Sequence, residues 1–332
     1  MPDGGILLIS AIVLISIIYF ALRFQALNRI TAYKLSSFNC EALVEVDKFD
    51  RKIENISQDD PSIDLSIVFP AYNEENRLVK TLDETLKYLH QQKEKNKDFT
   101  YELIIVDDGS RDGTSLVARQ YMEKNFSKEK DNIRLIPLVN NYGKGFAVKQ
   151  GVIRSRGKLI LMADADAATE ISDLERLTKK LNEHAVGNNK EIHKNKSVAI
   201  GSRSHLQNED TTANRKLSRK LTSWIFNFLV MQVAGIKKIK DTQCGFKLFT
   251  RESARLLFLN LHVNRWCFDI ELLIVANYFK IPVEEVPVNW EEVDGSHLNL
   301  WGMASTVFDL FLIRVNHLLR FWKVTERPVL KY

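Results

Sequence analysis

Short apolar runs alternate with longer amphipathic segments along the middle of the chain. Five runs have the length and apolar character of buried strands: LSIVF, YELIIV, IRLIPLV, KLILMA and VAIGS. The amphipathic segments between them lie near Glu75–Gln91, Ser115–Asn125, Phe146–Ser155 and Ile171–Glu183. Strands that alternate with helices in this way predict βαβ units and a mainly parallel sheet. The largely polar stretch Val186–Lys196, before the fifth run, predicts a solvated loop.

Polar, acidic and glycine-rich loops follow each of the first four predicted strands. Their sequences are PAYNEE, DDGSRDGT, NNYGKG and DADAAT. In an open α/β sheet, ligands bind at the carboxyl ends of the strands. Four such loops in succession therefore predict a ligand site at one edge of the sheet.

The fourth strand ends in two carboxylates, Asp164 and Asp166, separated by one small residue. Like charges at this spacing repel each other and need an offsetting partner. One interpretation is a strand end whose carboxylates are solvated or cap the next helix. The other is a site for Mg²⁺ or Mn²⁺ that bridges a diphosphate, because hard oxygen ligands suit these cations.

The second and third loops offer further polar groups. Asp107 and Asp108 are placed to accept hydrogen bonds from a nucleobase or ribose, or to cap the helix that begins near Thr114; the residues alone leave both open. Lys144 lies between two glycines, which suits close approach to a phosphate. The chain has no GxxxxGK[ST] loop, and no GxGxxG follows the first strand, which argues against a P-loop enzyme and against a nicotinamide or flavin enzyme.

An uncharged apolar segment, Ile6–Leu22, lies near the N-terminus. At about 1.5 Å per residue it would span roughly 26 Å as a helix, close to the thickness of a hydrocarbon core. It lacks the basic region and cleavage site of a signal peptide, so a transmembrane anchor over residues 1–23 is predicted, with a linker over 24–62. Basic residues follow the segment, and the positive-inside rule places the rest of the chain in the cytosol.

Charge and cysteine content narrow the class of protein. The 47 basic and 42 acidic residues give a net charge of +5, too balanced to suggest nucleic acid but compatible with an anionic membrane surface or anionic substrates. The three cysteines, Cys40, Cys244 and Cys267, have no CxxC spacing and indicate neither a disulfide framework nor a zinc site.

Two later apolar segments are candidates for contact with a membrane. Trp224–Gly235 is too short to span a bilayer and reads as a core helix or one that dips into the surface. Leu300–Lys323 is longer but is interrupted by charged residues, which favours an interfacial amphipathic helix. A helix buried against the domain or in a subunit contact is the alternative.

The loop motifs, in this order and spacing, resemble the family 2 glycosyltransferases of the GT-A fold. The resemblance continues at AIGSR, DTQCGFKLF, WCFDIELL and WEEVDGS and covers about Leu65 to Asp309. Within this family, the chain resembles in particular the members that transfer glucose from UDP-glucose to dolichyl phosphate. The resemblance implies an α/β GT-A domain over residues 63–297 and a membrane-interface region over 298–332.

The resemblance also implies roles for individual residues. The donor-binding positions are Pro70, Tyr72, Glu74, Asp107, Asp108, Lys144 and Asp164. The acceptor-binding positions are Arg203, Arg219, Ser223 and Gln243. The ligands of Mg²⁺ or Mn²⁺ are Asp164 and Asp166, and catalysis is expected to depend on both of them together with Arg203 and Arg219. The other basic residues beside Arg219 read as a solvated helix face.

The implied reaction is an in-line displacement at the anomeric carbon of glucose, with inversion. Its product would serve N-glycosylation, and the protein is expected at the endoplasmic reticulum membrane. A phosphate acceptor is already ionised and needs no general base. The roles of Asp269 and Glu271 therefore stay open: each carboxylate either positions a substrate or is simply paired with a neighbouring group. Ala167 stands where glucosyl members often have Gly, and Ala168 stands where mannosyl relatives have a metal-binding Gln. Tyr142 and Phe146 replace the Arg and Gly common beside GKG.

Three alternatives remain. A dolichyl-phosphate mannosyltransferase that uses GDP-mannose is the nearest. A processive polysaccharide synthase is disfavoured because HVNRW, His262–Trp266, lacks the Gln of QxxRW and the chain has few spanning segments. A catalytically silent nucleotide-sugar-binding protein at the membrane is disfavoured because the DxD, GSR and acceptor-side motifs are all intact.

Overall fold

The computed structural model describes most of the chain from residue 59 to residue 291 and part of the C-terminal region. The described residues are 56, 59–129, 132–183, 189–205, 239–291, 309–310 and 313–326. The predicted anchor, Arg219, Ser223 and the segment Trp224–Gly235 lie outside them. Within these ranges, no helix combines the length and the apolar character needed to cross a membrane.

Seven strands and six α-helices make up the main elements of the described residues. The strands are β1 Ile63–Ala71, β2 Tyr101–Asp107, β3 Ile133–Pro137, β4 Gly157–Ala163, β5 Val198–Ser202, β6 Phe246–Thr250 and β7 Val283–Pro287. The helices are α1 Leu78–Lys95, α2 Thr114–Glu129, α3 Lys144–Ile153, α4 Leu174–Glu183, α5 Arg251–Leu259 and α6 Phe268–Tyr278. Two 3₁₀ helices cover Ile171–Asp173 and Asn189–Lys194.

The strands form one sheet in the order β3-β2-β1-β4-β6-β5-β7. The pairs β1–β2, β1–β4, β2–β3 and β5–β7 are parallel, and β6 runs antiparallel to both β4 and β5. The predicted α/β architecture with a mainly parallel sheet is confirmed. The antiparallel β6 brings the segment before Phe246 to the edge where β4 ends, because Phe246 pairs with Ala163.

Apolar patterning explains how these elements pack. All seven residues of β2 are buried, as expected for a central strand that is covered on both faces. Helix α1 buries Leu78, Leu82, Leu86 and Leu89, which recur at helical spacing, and turns its charged residues outward. Helix α6 buries almost its whole length, including two carboxylates, Asp269 and Glu271.

One expectation about a loop needs correction. The stretch Val186–Lys196 is not a loop throughout, since residues Asn189–Lys194 form a 3₁₀ helix whose Ile192 is 8% exposed. In the C-terminal region, residues 313–318 are helical, and Ile313 is buried while Leu318 is 69% exposed.

Candidate active site

The two aspartates after β4 lie beside an ammonium group from the third loop. Lys144 begins α3, and its Nζ lies 2.5 Å from Asp164 Oδ1. Burial alone lowers the pKa of Lys144, but the charges of Asp164 and Asp269 outweigh it and hold that pKa above its usual value. The ammonium therefore offsets part of the repulsion between the two aspartates.

Asp166 closes a tight turn. Its Oδ1 accepts a hydrogen bond from the backbone N–H of Ala168 at 3.0 Å. Ala167, at the centre of the turn, has φ of 58°, in the left-handed region that glycine adopts at lowest cost. This conformation gives a physical reason for the glycine expected there. The hydroxyl of Thr81, on α1, donates to the carbonyl of Ala165 at 2.8 Å and holds the middle of the motif.

Asp107 and Asp108 hold the neighbouring loops. Asp107 accepts hydrogen bonds from the Ser110 backbone at 3.0 Å and from the Ser115 hydroxyl at the start of α2. Asp108 accepts from the backbone N–H groups of Tyr142 and Gly143, each at 2.8 Å. Burial raises the pKa of Asp108. Asp107 thus makes the capping contacts that were one of its two interpretations, and donor binding by either carboxylate stays a prediction.

The loop after β1 borders the same site. Pro70 pairs with Val106 near the end of the strand, and Tyr72 is 39% exposed beyond it. The carboxylate of Glu74 accepts two hydrogen bonds from the Arg77 guanidinium, at 2.7 and 2.8 Å. Burial raises the pKa of Glu74, and the negative charges of Asp164 and Asp166 add to that effect.

Arg203, after β5, faces this edge as part of a bidentate pair. Its Nε and Nη2 donate to the Asp241 carboxylate at 2.7 and 2.9 Å, and its guanidinium lies 5.3 Å from the ring centre of Trp290. The carboxylates of Asp241 and Asp164 overcome the effect of burial and raise the pKa of Arg203. Gln243, two residues after Asp241, is exposed.

A buried ion pair lies beneath these groups. Lys247 Nζ is 2.7 Å from Asp269 Oδ1, and the two side chains are 1% and 7% exposed. Burial raises the pKa of Asp269, although the ammonium groups of Lys247 and Lys144 oppose the shift. Of the two interpretations left open for Asp269, pairing is the one that the contacts show. Glu271 is also paired, with two histidines.

Comparison with known proteins identifies the family. The model of glycosyl transferase family 2 matches residues 66–258. A dolichyl-phosphate beta-glucosyltransferase from Homo sapiens is 44% identical over 326 residues, which cover 97% of this chain and 95% of that protein. The chain belongs to the dolichyl-phosphate beta-glucosyltransferases of family 2. The dolichyl-phosphate beta-glucosyltransferase from Saccharomyces cerevisiae is 39% identical over 274 residues, which cover 82% of this chain and 80% of that protein.

Solved structures agree on the fold. Glucosyl-3-phosphoglycerate synthase from Mycobacterium tuberculosis matches with a TM-score of 0.51 and 17% sequence identity, over 76% of this chain and 80% of that one. At this identity the likeness concerns the fold alone. The expected GT-A-type fold is thereby confirmed.

Several groups at the site received no role from the sequence. Asp241, Gly245 and Lys247 all lie in DTQCGFKLF, which had supported the family resemblance only. A lysine within the apolar run FKLF was a signal of a buried charge that needs a partner. Trp266, 68% exposed, has its ring centre 5.8 Å from Lys144 Nζ, and no pattern in the sequence indicated that proximity.

Gly245 is expected to be required for the position of Asp164. A Cβ atom at residue 245 would lie 2.0 Å from Asp164 Oδ2, so an alanine must displace that carboxylate. We expect Gly245→Ala to lower transferase activity by about 10- to 100-fold, because small displacements of a side chain at the site can be costly. Gly113→Ala is the control, since the three atoms nearest to its Cβ would all belong to the carboxylate of Glu75, which has no proposed role. Unchanged activity in Gly245→Ala would contradict this role.

Proposed function

We propose that the protein transfers glucose from UDP-glucose to dolichyl phosphate, with inversion, to give dolichyl β-D-glucosyl phosphate. Its relatives carry the name dolichyl-phosphate beta-glucosyltransferase, which supports both the sugar and the acceptor. The observation that carries the proposal is the grouping of Asp164, Lys144 and Arg203 at the carboxyl edge of the sheet. Such a group offers a cation site and two fixed positive charges, which suits a reaction between two phosphate-bearing substrates.

The donor side rests on Asp164 and Asp166. Two carboxylates at the end of a strand are hard oxygen ligands that fit Mg²⁺ or Mn²⁺, and the ion pair of Asp164 with Lys144 supports the view that positive charge is favoured here. A bound divalent ion would stabilise the negative charge that builds on the departing UDP. Structures of the same fold with Mn²⁺ and UDP or UDP-glucose support this assignment. The donor contacts proposed for Pro70, Tyr72, Glu74, Asp107 and Asp108 border the same edge.

The acceptor side rests on Arg203. Asp241 holds the guanidinium in one orientation through two hydrogen bonds, and guanidinium groups bind phosphate oxygens without losing their charge. These contacts support the acceptor role proposed for Arg203. The roles proposed for Arg219 and Ser223 rest on the sequence alone, because both residues lie outside the described ranges. Gln243 is exposed beside Asp241, where an acceptor headgroup can reach it.

One displacement accounts for the product. An oxygen of the ionised acceptor phosphate attacks the anomeric carbon, and the bond from that carbon to UDP breaks with its electron pair leaving on UDP. Inversion converts the α-linked donor into a β-linked product. No protein base has to accept a proton, which agrees with the engagement of Asp269 by Lys247 at 2.7 Å.

We further propose that the protein is anchored in the endoplasmic reticulum membrane by residues 1–23, with the catalytic domain in the cytosol. A lipid acceptor requires the site to lie near a bilayer. Leu318, Leu319 and Phe321 are 69%, 56% and 63% exposed, which suits a C-terminal segment that touches the lipid surface.

The experiment that tests the function uses sealed microsomes with the cytosolic face outward. They are incubated with dolichyl phosphate and with labelled UDP-glucose, UDP-GlcNAc or GDP-mannose, charged donors that do not diffuse through a lipid bilayer. Microsomes without this protein give the background for each donor, and only labelled lipid above that background is counted. We expect labelled lipid from UDP-glucose alone, before any detergent is added. Product from GDP-mannose would overturn the donor assignment, and product that appears only after detergent would overturn the orientation. Absence of product from every donor, with and without detergent, would favour a silent binding protein.

A further inference from the structure

Three side chains with metal-binding atoms, none of which the proposed reaction uses, converge at α6. Glu271 Oε1 lies 2.9 Å from Nδ1 of His262 and 3.2 Å from Nε2 of His317. Among the described residues, the ligand atoms of these three side chains all lie within 4.8 Å of one another. The three groups come from a loop, a helix and the C-terminal region, so the fold itself assembles them.

The spacing of these atoms is close to that of ligands around one metal ion. Two ligands bound at about 2.1 Å in a tetrahedral site lie about 3.4 Å apart. The two N···O separations of 2.9 and 3.2 Å are slightly shorter than this value. The two histidine nitrogens lie within 4.8 Å of each other, so binding one ion requires the three side chains to adjust around it.

The carboxylate is already prepared for such a role. Glu271 Oε2 accepts hydrogen bonds from the backbone N–H groups of His262 and Val263, at 2.8 and 2.7 Å, so Oε1 is held towards the histidines. These two hydrogen bonds fix the orientation of the carboxylate, as the outer contacts of a metal ligand do.

Aromatic packing fixes the two rings. Trp322 stacks on His262, with ring centres 4.8 Å apart and an angle of 3° between the planes. The same indole meets His317 edge-on, with ring centres 5.4 Å apart. Both imidazoles are therefore constrained before any ion binds, which lowers the entropic cost of forming a site.

We propose that His262, Glu271 and His317 form a binding site for a divalent transition-metal ion, with Zn²⁺ the preferred occupant. Two imidazole nitrogens and one carboxylate suit Zn²⁺, whereas Mg²⁺ prefers oxygen ligands. The side chain of His262 is 31% exposed, which leaves room for a water molecule as the fourth ligand. This site is distinct from the one assigned to Asp164 and Asp166.

The site would connect the C-terminal region to the loop that carries Lys144. The segment that carries His262 also contacts the start of α3, where the backbone N–H of Phe146 donates to the Asn264 carbonyl at 2.9 Å. Gly143, with φ of 105°, leaves no space there: a Cβ on it would lie 2.6 Å from that same carbonyl. An ion held by His262 and His317 would therefore tie residues 313–326 to the loop that positions Lys144.

Metal binding to the full-length protein tests the proposal. The detergent-solubilised chain is stripped with a chelator, returned to millimolar Mg²⁺ to occupy the aspartate site, and titrated with Zn²⁺ against a chromophoric chelator. We expect one Zn²⁺ per chain, with micromolar or tighter affinity. Co²⁺ is expected to bind at the same place and to quench tryptophan fluorescence, and Trp322→Phe should remove most of that quenching.

Matched variants separate metal binding from hydrogen bonding. His317→Gln keeps an N–H donor for Glu271 but has no nitrogen lone pair, so we expect its Zn²⁺ affinity to fall by at least about 100-fold. His90→Ala, an exposed position on α1, and Asp166→Asn should both keep one equivalent. Absence of a Zn²⁺ equivalent in the unmodified protein, unchanged affinity in His317→Gln, or loss of binding in Asp166→Asn would each overturn the proposal.

Discussion

Asp166→Asn is expected to lower glucosyl transfer by at least about a thousandfold while the protein stays folded. Asparagine keeps an oxygen that accepts the hydrogen bond from Ala168, so the turn after β4 is retained. It removes the negative charge that a divalent cation needs. Loss of the several kcal/mol of charge stabilisation that a metal supplies corresponds to about three powers of ten in rate.

The measurement is the initial rate of dolichyl-linked glucose formation as a function of added Mn²⁺. We expect the variant to need far more metal and to reach a lower maximum, with an unchanged melting temperature. Asp98→Asn is the matched control, because Asp98 is an exposed aspartate in the loop that precedes β2, at the opposite edge of the sheet. An Asp166→Asn protein that retains a tenth or more of the normal rate would refute the metal assignment.

The order of the first five strands was predictable because it depends on local patterns, whereas β6 and β7 were not predicted. Apolar runs of five to seven residues read as strands, and each predicted strand contains most of an observed one. The chemistry of the loops was visible for the same reason: the polar residues follow directly after the apolar runs. Asp107, at the end of β2, and Lys144, at the start of α3, therefore lie at the edge of the sheet that the sequence predicts.

Contacts between distant segments were not predictable in this way. Arg203 is paired with Asp241, and Lys247 with Asp269, because β6 inserts antiparallel between β4 and β5. Nothing in a run such as FKLF gives the direction of a strand or its neighbours. The distinction between a free carboxylate and a paired one depends on that placement, which is why the roles of Asp269 and Glu271 stayed open in the sequence.

Lys247→Met is expected to lower the free energy of unfolding by about 3 to 5 kcal/mol, because it leaves a buried carboxylate without its partner. Lys247 and Asp269 are 1% and 7% exposed and lie 2.7 Å apart, so water cannot replace the lost ammonium. Methionine has nearly the same length and volume, so the change removes charge with little change in packing. Urea unfolding measures the effect. Lys194→Met is the control; it breaks a pair of similar length, 2.6 Å, between side chains that are both 63% exposed, and should change little.

The destabilisation should depend on pH in a defined direction. Burial already raises the pKa of Asp269 above its ordinary value in the intact protein, and loss of Lys247 removes an opposing charge and raises it further. A group whose pKa is raised in the folded state binds more protons when folded, so the stability of the variant falls as pH rises from the ordinary aspartate range through the raised value. The loss of stability caused by Lys247→Met should therefore be smallest in acid.

Adding Asp269→Asn should restore part of the stability at neutral pH, since it removes the unpaired charge. Two outcomes would show that the ion pair does not stabilise the folded protein. In the first, Lys247→Met is as stable as the unmodified protein at neutral pH. In the second, adding Asp269→Asn makes the Lys247→Met variant less stable.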